Sequence, residues 1–408
     1  MSSNILLVGS RGFIGRHVLG ALEAAGHRVH RADRPGVDLA RDVTTGPWLS
    51  RLHGIDVVVN AAGIFRETPA ASFDAVHARG PSALFEACAR ARIKVVQVSA
   101  LGADAGATTA FLRTKHEADE ALLALDVPSI VLQPSLVYGA GGASTSLLEM
   151  LASLPWIPLP GAGEQRIQPV AVEDIAAAVA CAIAADRFPR ARVPVVGPEA
   201  LTLRAYLASL RDAMRMGPAR FIAIAPKAVR FAARLHLGLL DRDSLAMLEQ
   251  GNTASVAPLR ALLGRDPVPV PAPMHGSAAA MLRTRAKLGW LLPLLRMALA
   301  FMWFAAGIVS AGVYPVGDSL ELLARTGLHG VVARATLYGA SALDVAMGIA
   351  TLVGPRRALW LAQAVLILAY TAIITVFLPE QWLHPYGAVV KNVPILALLL
   401  VLHQLEKR

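Results

Sequence analysis

The sequence predicts an α/β domain with a doubly wound parallel sheet, followed by a C-terminal four-helix transmembrane bundle. Short apolar strands alternate with helical stretches through about residue 200, a glycine-rich turn follows the first strand, and roughly the last hundred residues are apolar. The composition agrees, because 55% hydrophobic and 17% charged residues, with a mean hydropathy of +0.51, are unusual for a soluble protein.

The first half of the chain contains the alternating elements. We predict strands at residues 5–8, 28–32, 57–60 and 95–99, and helices at residues 14–25 and 81–92. Strands that alternate with helices form parallel sheets covered on both faces. The N-terminus lacks the basic start and long apolar core of a signal peptide, so we interpret it as the first strand. Cys88 and Cys181 are too few for a disulfide framework, so we expect free thiols.

A glycine pattern lies between the first strand and the first helix. Gly9, Gly12 and Gly15 have the spacing of a turn that binds a dinucleotide pyrophosphate. The first two let the backbone turn and approach the phosphates, and the third lets helix and strand pack closely. The helix N-terminus supplies free N–H donors. The pattern predicts a Rossmann-like domain whose cofactor-binding loop also includes Arg11, Phe13 and Ile14.

Further sequence motifs resemble those of a known family. The glycines are accompanied by VVVNAAG at 57–63, VVQVSALGADAG at 95–106, FLRTKHEADE at 111–120, QPSLVYGAGG at 133–142, PVAVEDIAAAV at 169–179 and VVGPEALTL at 195–203. Together they resemble the extended or atypical short-chain dehydrogenase/reductases over roughly residues 4–275. The SALGAD and LRTK phrases are most similar to the atypical group that includes the NADPH-binding accessory subunit of mitochondrial respiratory complex I. The resemblance implies a nicotinamide cofactor.

The end of the second strand bears on the choice between NAD and NADP. An acidic side chain there binds the ribose 2′-hydroxyl, whereas a basic one pairs with a 2′-phosphate. Asp33 is followed by Arg34, and Arg11 lies in the glycine loop, so both cofactors stay open, with the arginines favouring NADP. A solvated charge cluster is the alternative for Arg34. The resemblance adds Asp42 and Val43 at the adenine, Ala61, Ala62 and Gly63 at the sugars, and Pro134 and Ser135 near the nicotinamide, where a structural turn is the alternative.

The expected catalytic tyrosine is replaced. Active members of the family carry a Tyr-x-x-x-Lys pair on one helix face, in which the lysine lowers the tyrosine pKa and holds the nicotinamide ribose. The matching residues are Phe111 and Lys115, and Ser99 occupies the position of the substrate-polarising serine. Phenylalanine has no proton to donate, so catalysis stays open. Alternative proton donors, each with a structural interpretation as well, are Tyr138, Thr114 and His116.

Four apolar stretches follow, at residues 294–313, 331–353, 358–378 and 387–402. The third has 21 residues without a charge, enough to cross a hydrocarbon core of about 30 Å. The phrases MWFAAGIVSAGVYP and ALDVAMGIATL resemble the DoxX-like membrane family. Asp344 is costly in lipid, so we expect it in the bundle interior. One interpretation is that Asp344 forms a polar site for a proton or for a quinone-like or lipid-like molecule. The alternative is that it forms a hydrogen bond between two helices.

The predicted domains are an NAD(P)-binding domain at 1–275 with a small substrate lobe at about 200–275, a basic linker at 276–293 and a DoxX-like domain at 294–405. A stiff proline-rich connector precedes the linker at Pro267, Pro269, Pro271 and Pro273. Basic residues before the first span, between the second and third, and at the end of the chain are Arg283, Arg285, Lys287, Arg296, Arg356, Arg357, Lys407 and Arg408. They predict a multi-pass protein of a bacterial-type inner membrane with a cytoplasmic N-terminal domain. We expect Arg334, Lys391 and His384 near the outer surface.

Basic charge is concentrated ahead of the apolar region. Residues 204–296 hold 14 Lys and Arg against 5 Asp and Glu, within a net charge of +10 for the whole chain. Beside a membrane this excess indicates anionic lipid rather than nucleic acid. We predict a membrane-anchored NAD(P)-binding oxidoreductase-like protein that, if an enzyme, acts on an apolar quinone, isoprenoid or lipid carbonyl or alcohol. The alternative is a non-catalytic NADP(H)-binding module for redox sensing or a membrane complex. A nucleotide-sugar epimerase or dehydratase is disfavoured by the missing tyrosine.

Overall fold

The structure, a computed structural model, describes residues 2–185, 190–234, 242–383, 385, 387 and 389–406, without the side chains of 232–234. Its backbone contacts divide the chain into two compact units, Met1–Lys287 and Leu288–Arg408. Each unit has a hydrophobic core of its own.

The first unit contains alternating strands and helices. The strands are β1 (Asn4–Val8), β2 (Arg28–Ala32), β3 (Val57–Asn60), β4 (Lys94–Val98), β5 (Ser129–Pro134), β6 (Val137–Tyr138), β7 (Ile157–Pro160), β8 (Arg166–Ile167), β9 (Val170–Ala171), β10 (Ala191–Val195), β11 (Leu201–Thr202) and β12 (Phe221–Ile224). The helices are α1 (Phe13–Ala24), α2 (Thr45–Arg51), α3 (Gly80–Ala91), α4 (Ala110–Ala124), α5 (Ala143–Ser153), α6 (Val172–Ala184), α7 (Leu203–Ala213), α8 (Pro226–Arg234), α9 (Arg242–Gln250) and α10 (Ala257–Leu263). A π-helical turn, Asp74–Arg79, leads into α3.

Six parallel strands form the central sheet in the order β2-β1-β3-β4-β5-β10. From β1 the chain moves to one side to form β2, and then returns to the other side of β1 to form β3. This reversal opens a crevice at the carboxyl ends of β1 and β3, where such sheets bind ligands. The doubly wound sheet is therefore confirmed, and the elements predicted up to residue 99 end within one residue of the observed bounds.

Helices cover both faces of the sheet, which explains why its inner strands are largely apolar, whereas the edge strand β2 is mostly polar and exposed. One face packs with α1, α6 and α10 around residues such as Leu7 and Leu132. The other face packs with α2, α3 and α4 around residues such as Leu6 and Val131. Cys88 lies in this second core, where burial raises the pKa of its thiol to about 12. Both cysteines are free thiols, as expected.

A smaller lobe has its own core around Ile157, Tyr206 and Leu210. The start of α11 (Gly276–Ile308) also packs there, so the segment predicted to be a basic linker is helical. Its Ala, Leu, Met, Lys and Arg residues are strong helix formers. The sequence analysis weighed the basic charge of this segment and overlooked its helix propensity. The proline-rich residues 265–275 contain no helix or strand. The exact domain boundaries stay a prediction.

The second unit is helical. After a π-helical turn, Val309–Val313, it contains α12 (Val316–Arg325), α13 (Gly330–Val353), α14 (Arg357–Phe377), a 3-10 turn, Pro379–Trp382, and α15 (Asn392–Leu405). Three of the described helices are long and apolar enough to cross a membrane, namely Gly276–Val313, which begins in the first unit, Gly330–Val353 and Arg357–Phe377. The fourth predicted span is shorter than expected. Its helix, α15, has 14 residues, or about 21 Å. The amphipathic α12 was not predicted, because it is short and carries three charges.

Polar side chains connect the helices inside the second unit. Asp344 is only 7% exposed, and the Tyr370 hydroxyl donates to its carboxylate at 3.4 Å. Trp303 Nε1 donates to Gln363 at 2.9 Å. The interior position expected for Asp344 is thus present, together with the hydrogen bond between α13 and α14. Lys407 and Arg408, which were used to predict the orientation, and His384, which was expected near the outer surface, lie outside the described residues.

Candidate cofactor site and catalytic centre

The glycine loop lies at the carboxyl end of β1. Gly9 has a φ of +83°, and a Cβ there would lie 2.7 Å from Ala62 Cα. At Gly15 a Cβ would lie only 2.0 Å from the carbonyl oxygen of Gly9. Gly12 is less constrained, with 3.2 Å to the same oxygen. These glycines provide the turn and the close helix packing that the spacing predicts, and their contact with a cofactor stays a prediction.

The N-terminus of α1 fits an anionic group. No side chain caps the helix, and its first turn has no acidic residue. The first backbone N–H groups of an α-helix have no partner within the helix, and the helix dipole makes this end positive. Phe13, Ile14 and Gly15 therefore present donors that fit a pyrophosphate.

Asp33 lies just after β2 and binds the glycine loop. The Ser10 hydroxyl donates to its carboxylate, and the Arg11 backbone N–H donates to it at 3.3 Å. The Arg11 guanidinium donates to the carbonyl oxygen of Arg34 at 3.2 Å, and both arginines are exposed. The acidic and basic residues predicted to choose the cofactor thus lie side by side.

The residues predicted at the adenine and the sugars lie on loops at the same edge of the sheet. The Asp42 carboxylate accepts from Arg51 at 2.9 Å, and Val43 is half-buried beside it. After β3, the Ala62 N–H donates to the Asn60 side chain at 3.2 Å. Ala61 is half-buried and Gly63 is exposed. Their cofactor roles stay predictions.

The second glycine turn packs against α1. Arg16 of α1 donates to the carbonyl oxygen of Ala140 at 2.8 Å. Pro134 ends β5, and the hydroxyl of the next residue, Ser135, donates to the carbonyl oxygen of Gln168 at 2.5 Å. The turn therefore lies beside the start of α1, the Ser135 hydroxyl has a structural partner, and the cofactor roles of Pro134 and Ser135 stay predictions.

Lys115 is buried on α4 beneath the loop that follows β3. Among the described residues its ammonium has two acceptors, the carbonyl oxygens of Val98 at 3.1 Å and Ala62 at 3.4 Å. Burial lowers the pKa of Lys115 to about 8, and Asp119 opposes this lowering. An ammonium has three donors, so one remains for a further acceptor, and the binding of a ribose hydroxyl stays a prediction.

Ser99 follows β4 and binds a carboxylate that was not predicted. Its hydroxyl donates to Asp119 Oδ2 at 2.6 Å. Asp119 is fully buried, and this burial raises its pKa to about 6, against the effects of Ser99, Lys115 and other neighbours. The sequence did contain a signal for it, because residues 111, 115 and 119 are spaced by four and share one helix face.

Aromatic rings surround the position of the missing tyrosine. The Phe111 ring lies 5.3 Å from that of Phe65, 5.8 Å from that of Phe73 and 5.2 Å from that of His77, between centroids. We name these four residues the aromatic cluster. Phe65 is 54% exposed, so the cluster reaches the surface. Where an active family member would present a hydroxyl, this chain presents an apolar surface.

His77 is held neutral in the aromatic cluster. The Ile64 backbone N–H donates to its Nε2 at 3.0 Å. Burial and the nearby Lys115 lower the pKa of His77 to about 2. Because Nε2 accepts, the ring proton lies on Nδ1, which faces the Thr114 hydroxyl at 3.4 Å. His77 was not singled out in the sequence, since the contacts that define it come from the fold.

The alternative proton donors are engaged elsewhere. Tyr138 donates to Glu149 at 3.3 Å, and burial raises the pKa of Tyr138. Thr114 donates to a backbone carbonyl one turn earlier at 2.9 Å. His116 Nδ1 lies 3.7 Å from the Glu120 carboxylate. Among the described residues, no cluster of His, Cys, Asp or Glu could hold a metal ion.

Buried amides lie on the strands beneath Ser99. Asn60 of β3 donates to Gln97 of β4 at 2.8 Å, and Gln133 of β5 donates to Asp119 at 3.4 Å. We name these three amides the amide row. They are at most 7% exposed, and Gln133 is the one of the three that is hydrogen-bonded to the Ser99–Asp119 pair. The sequence analysis did not single them out, although a polar residue within an otherwise apolar strand is a signal that could have identified them.

Comparisons with known proteins match both parts of the chain. Residues 5–197 match the NAD dependent epimerase/dehydratase family, and residues 300–400 match the DoxX-like family. A ceramide reductase from Caulobacter vibrioides (strain NA1000 / CB15N) is 29% identical over 292 residues, which is 66% of this chain and 87% of that enzyme. The mitochondrial NADH dehydrogenase [ubiquinone] 1 alpha subcomplex subunit 9 of Arabidopsis thaliana is 26% identical over 231 residues, 52% of this chain and 58% of that subunit.

Solved structures share the fold of the first unit. MoeE5 in complex with UDP-glucuronic acid and NAD has a TM-score of 0.53 at 19% identity, covering 69% of this chain and 99% of that one. A dTDP-glucose 4,6-dehydratase from Bacillus anthracis in complex with NAD has a TM-score of 0.51 at 16% identity, covering 72% and 100%. The chain thus combines a Rossmann-fold domain of the NAD dependent epimerase/dehydratase type, related to oxidoreductases, with a C-terminal DoxX-like membrane domain.

Proposed function

We propose that the protein is a membrane-anchored, nicotinamide-dependent reductase of a long-chain lipid ketone of the ceramide type. The observation that carries this proposal is the arrangement of Ser99 and Lys115. Lys115 binds the carbonyl oxygen of Val98, the residue before Ser99, so both polar groups are buried together next to the aromatic cluster. A ketone reductase needs such a pair, one group to hold the cofactor ribose and one to polarise the carbonyl oxygen.

The substrate class follows from the surroundings of this pair. The aromatic cluster offers apolar surface for a hydrocarbon chain and no charged group to a nucleotide sugar. Membrane-spanning helices in the same chain keep the protein where long-chain lipids are dissolved. The similarity to a ceramide reductase extends over 87% of that enzyme and supports the same class of lipid.

Different residues of the site would bind different parts of the cofactor. The N–H groups at the start of α1 would hold the pyrophosphate, Asp33 the adenosine ribose and Lys115 the nicotinamide ribose. We propose NADH as the preferred form. Two loop donors fix the Asp33 carboxylate at this edge, where it would repel a 2′-phosphate, whereas the competing Arg11 and Arg34 side chains are exposed. When bound, the cofactor supplies the hydride.

The test uses the full chain in lipid nanodiscs with NADH and the ketone form of a short-acyl ceramide. We expect NADH oxidation that depends on the ketone and yields the corresponding alcohol. A Ser99→Ala variant should bind NADH and lose at least about 100-fold in turnover. An Arg113→Met variant, changed at an exposed residue of α4, should behave as the wild type. A protein that binds NADH and reduces no lipid ketone contradicts the proposal.

A non-catalytic cofactor-binding module is the second function, favoured by Phe111 and by the similarity to the Arabidopsis respiratory subunit. The Phe111→Tyr variant separates the two. In a reductase, the added phenol supplies a second proton donor, so turnover should persist at higher pH than in the wild type. If neither protein reduces the ketone although both bind NADH, the module is favoured.

We also propose that the first unit lies in the cytoplasm of a bacterial-type cell, on the basis of the basic residues near the spans. In a chain whose two native cysteines, Cys88 and Cys181, are replaced by alanine, a cysteine introduced as Gly354→Cys, between α13 and α14, should react with an impermeant maleimide only in inverted membrane vesicles. Thr326→Cys, one span earlier, should react only in intact cells stripped of the outer membrane. The opposite pattern would reverse the orientation.

A further inference from the structure

Ser99 cannot donate to a substrate while it donates to an ionised Asp119. A serine hydroxyl has a single proton, and that of Ser99 is directed to Asp119 Oδ2 at 2.6 Å. Protonation of Asp119 reverses this bond, because the carboxylic O–H then donates to Ser99 Oγ. The Ser99 proton is thereby released for another acceptor, such as a carbonyl oxygen in the cleft.

The surroundings of Asp119 allow both states. The charged groups that face it are Lys115 on its own helix and Arg192 on β10, and the neutral ones are Ser99 and Gln133. Its second oxygen, Oδ1, has no hydrogen-bond partner among the described residues. With a carboxyl pKa of about 6, neutral and ionised forms both occur near physiological pH.

We propose that Asp119, acting through Ser99, supplies the proton that a tyrosine at position 111 would otherwise supply. This inference rests on the proposed reductase function. Asp119 is a positioning residue that also stores a proton, and Ser99 is the group that touches the substrate.

This step transfers one hydride and two protons. The carbonyl carbon receives the hydride of the reduced nicotinamide, and the carbonyl π electrons move to the oxygen. That oxygen takes the Ser99 proton while Ser99 takes the proton of Asp119, so new C–H and O–H bonds form and Asp119 is left ionised. After the alcohol leaves, water reaches Ser99, which is 7% exposed, and returns a proton to Asp119 through the same hydroxyl.

The first test measures kcat/KM for the same ketone in nanodiscs between about pH 5 and pH 8. In the wild type, reduction should fall about tenfold per pH unit above the pKa of Asp119, because only the protonated form reacts. Asp119→Asn should lose at least about 100-fold and this pH dependence, although NADH still binds. Asp119→Glu should regain part of both. Glu117→Gln, an equal charge change at an exposed site of α4, should match the wild type. Wild-type turnover or pH dependence in Asp119→Asn overturns the proposal.

The second test needs no turnover. Infrared difference spectra, wild type minus Asp119→Asn with NAD bound, follow the carboxylic C=O band of Asp119 with pH. The band should grow as the pH falls, and Ser99→Ala should move its midpoint upward because the Ser99 hydrogen bond stabilises the ionised form. The proposal that Asp119 supplies the proton is overturned if Asp119 stays ionised over the whole pH range. It is also overturned if Ser99→Ala leaves the pH midpoint of the Asp119 band unchanged. A wild type without reductase activity overturns the proposed function instead, and the infrared result then still decides the proton role.

Discussion

The two ends of the cofactor crevice differ in how far they keep the pattern of the family. At the glycine loop, Gly9 and Gly15 lie where a Cβ would meet backbone atoms, and the helix start is open to an anion. At the catalytic end, Phe111 replaces the tyrosine and packs into the aromatic cluster. Cofactor binding by the glycine loop depends on backbone space, whereas proton transfer depends on single hydroxyl groups. One end can therefore change while the other is kept.

The largest effect on cofactor binding is expected in the glycine loop, the end of the crevice that keeps the family pattern. In Gly15→Ala the new Cβ would lie 2.0 Å from the Gly9 oxygen, so the loop must move. We expect a loss of about 1–3 kcal/mol in the free energy of unfolding and no measurable NADH binding. Gly20→Ala is the matched control on α1, with no atom within 4 Å of its Cβ, and should bind normally. Calorimetric titration and thermal denaturation measure both, and normal binding by Gly15→Ala would contradict the rigid loop.

The Lys115→Met variant tests the residue predicted to bind the cofactor ribose next to the catalytic end of the crevice. Methionine keeps the length of the side chain but removes its charged donors to the cofactor ribose. A hydrogen bond to a charged group contributes about 1.5–3 kcal/mol, so NADH affinity should fall about 10–100-fold. Fluorescence titration of bound NADH measures the change, with Arg113→Met as the control for loss of a positive charge from α4. Equal affinity in Lys115→Met would mean that the lysine serves only the fold.

Asp33→Asn should have a smaller effect, confined to the choice of cofactor. Removal of the negative charge favours a 2′-phosphate, so the affinity for NADPH relative to NADH should rise about tenfold, or about 1.4 kcal/mol. Arg34→Leu should change the ratio in the opposite direction. Parallel titrations with both cofactors measure the ratio of the two affinities. If neither variant changes this ratio, the residues after β2 do not determine the cofactor preference.

The last prediction concerns stability rather than binding, and it is a pH dependence that comes from His77. Its pKa falls from 6.5 to about 2 in the folded protein, so below pH 6.5 only the unfolded chain takes up the proton. The free energy of unfolding should therefore fall by up to about 1.4 kcal/mol per pH unit as the pH drops below 6.5. Asp119, with a pKa raised from 3.8 to about 6, acts in the opposite sense between those values.

The His77→Gln variant isolates this contribution, because Asp119 is common to both proteins. Its amide oxygen still accepts from the Ile64 N–H. Thermal denaturation of both proteins in detergent between about pH 5 and pH 7.5 should show a gap that narrows in acid. Parallel curves would show that His77 takes up a proton without unfolding.

Local signals made the first domain predictable. Apolar strands, the glycine turn and the Phe111–Lys115 spacing each lie within a few residues, and the corresponding elements are present. The aromatic cluster could not be predicted in this way, because Phe65 and His77 meet Phe111 only through the fold. Asp119 was overlooked although its helical spacing from Lys115 was visible. In the second unit, hydropathy marked the apolar stretches but not the helix ends, which explains the short α15 and the unexpected α12.

Two members of the amide row also favour one alignment of the strands that carry them. Asn60 and Gln97 are register partners across β3 and β4, in strands otherwise made largely of valine. Valines pair almost equally well in several alignments, whereas a shift by one residue would turn these amides toward the opposite apolar face. The Asn60–Gln97 hydrogen bond would then be lost, and each buried amide group that loses its partner costs about 1–3 kcal/mol. The Asn60–Gln97 pair thus favours one alignment of β3 with β4, and with it the position of Ser99, which follows β4.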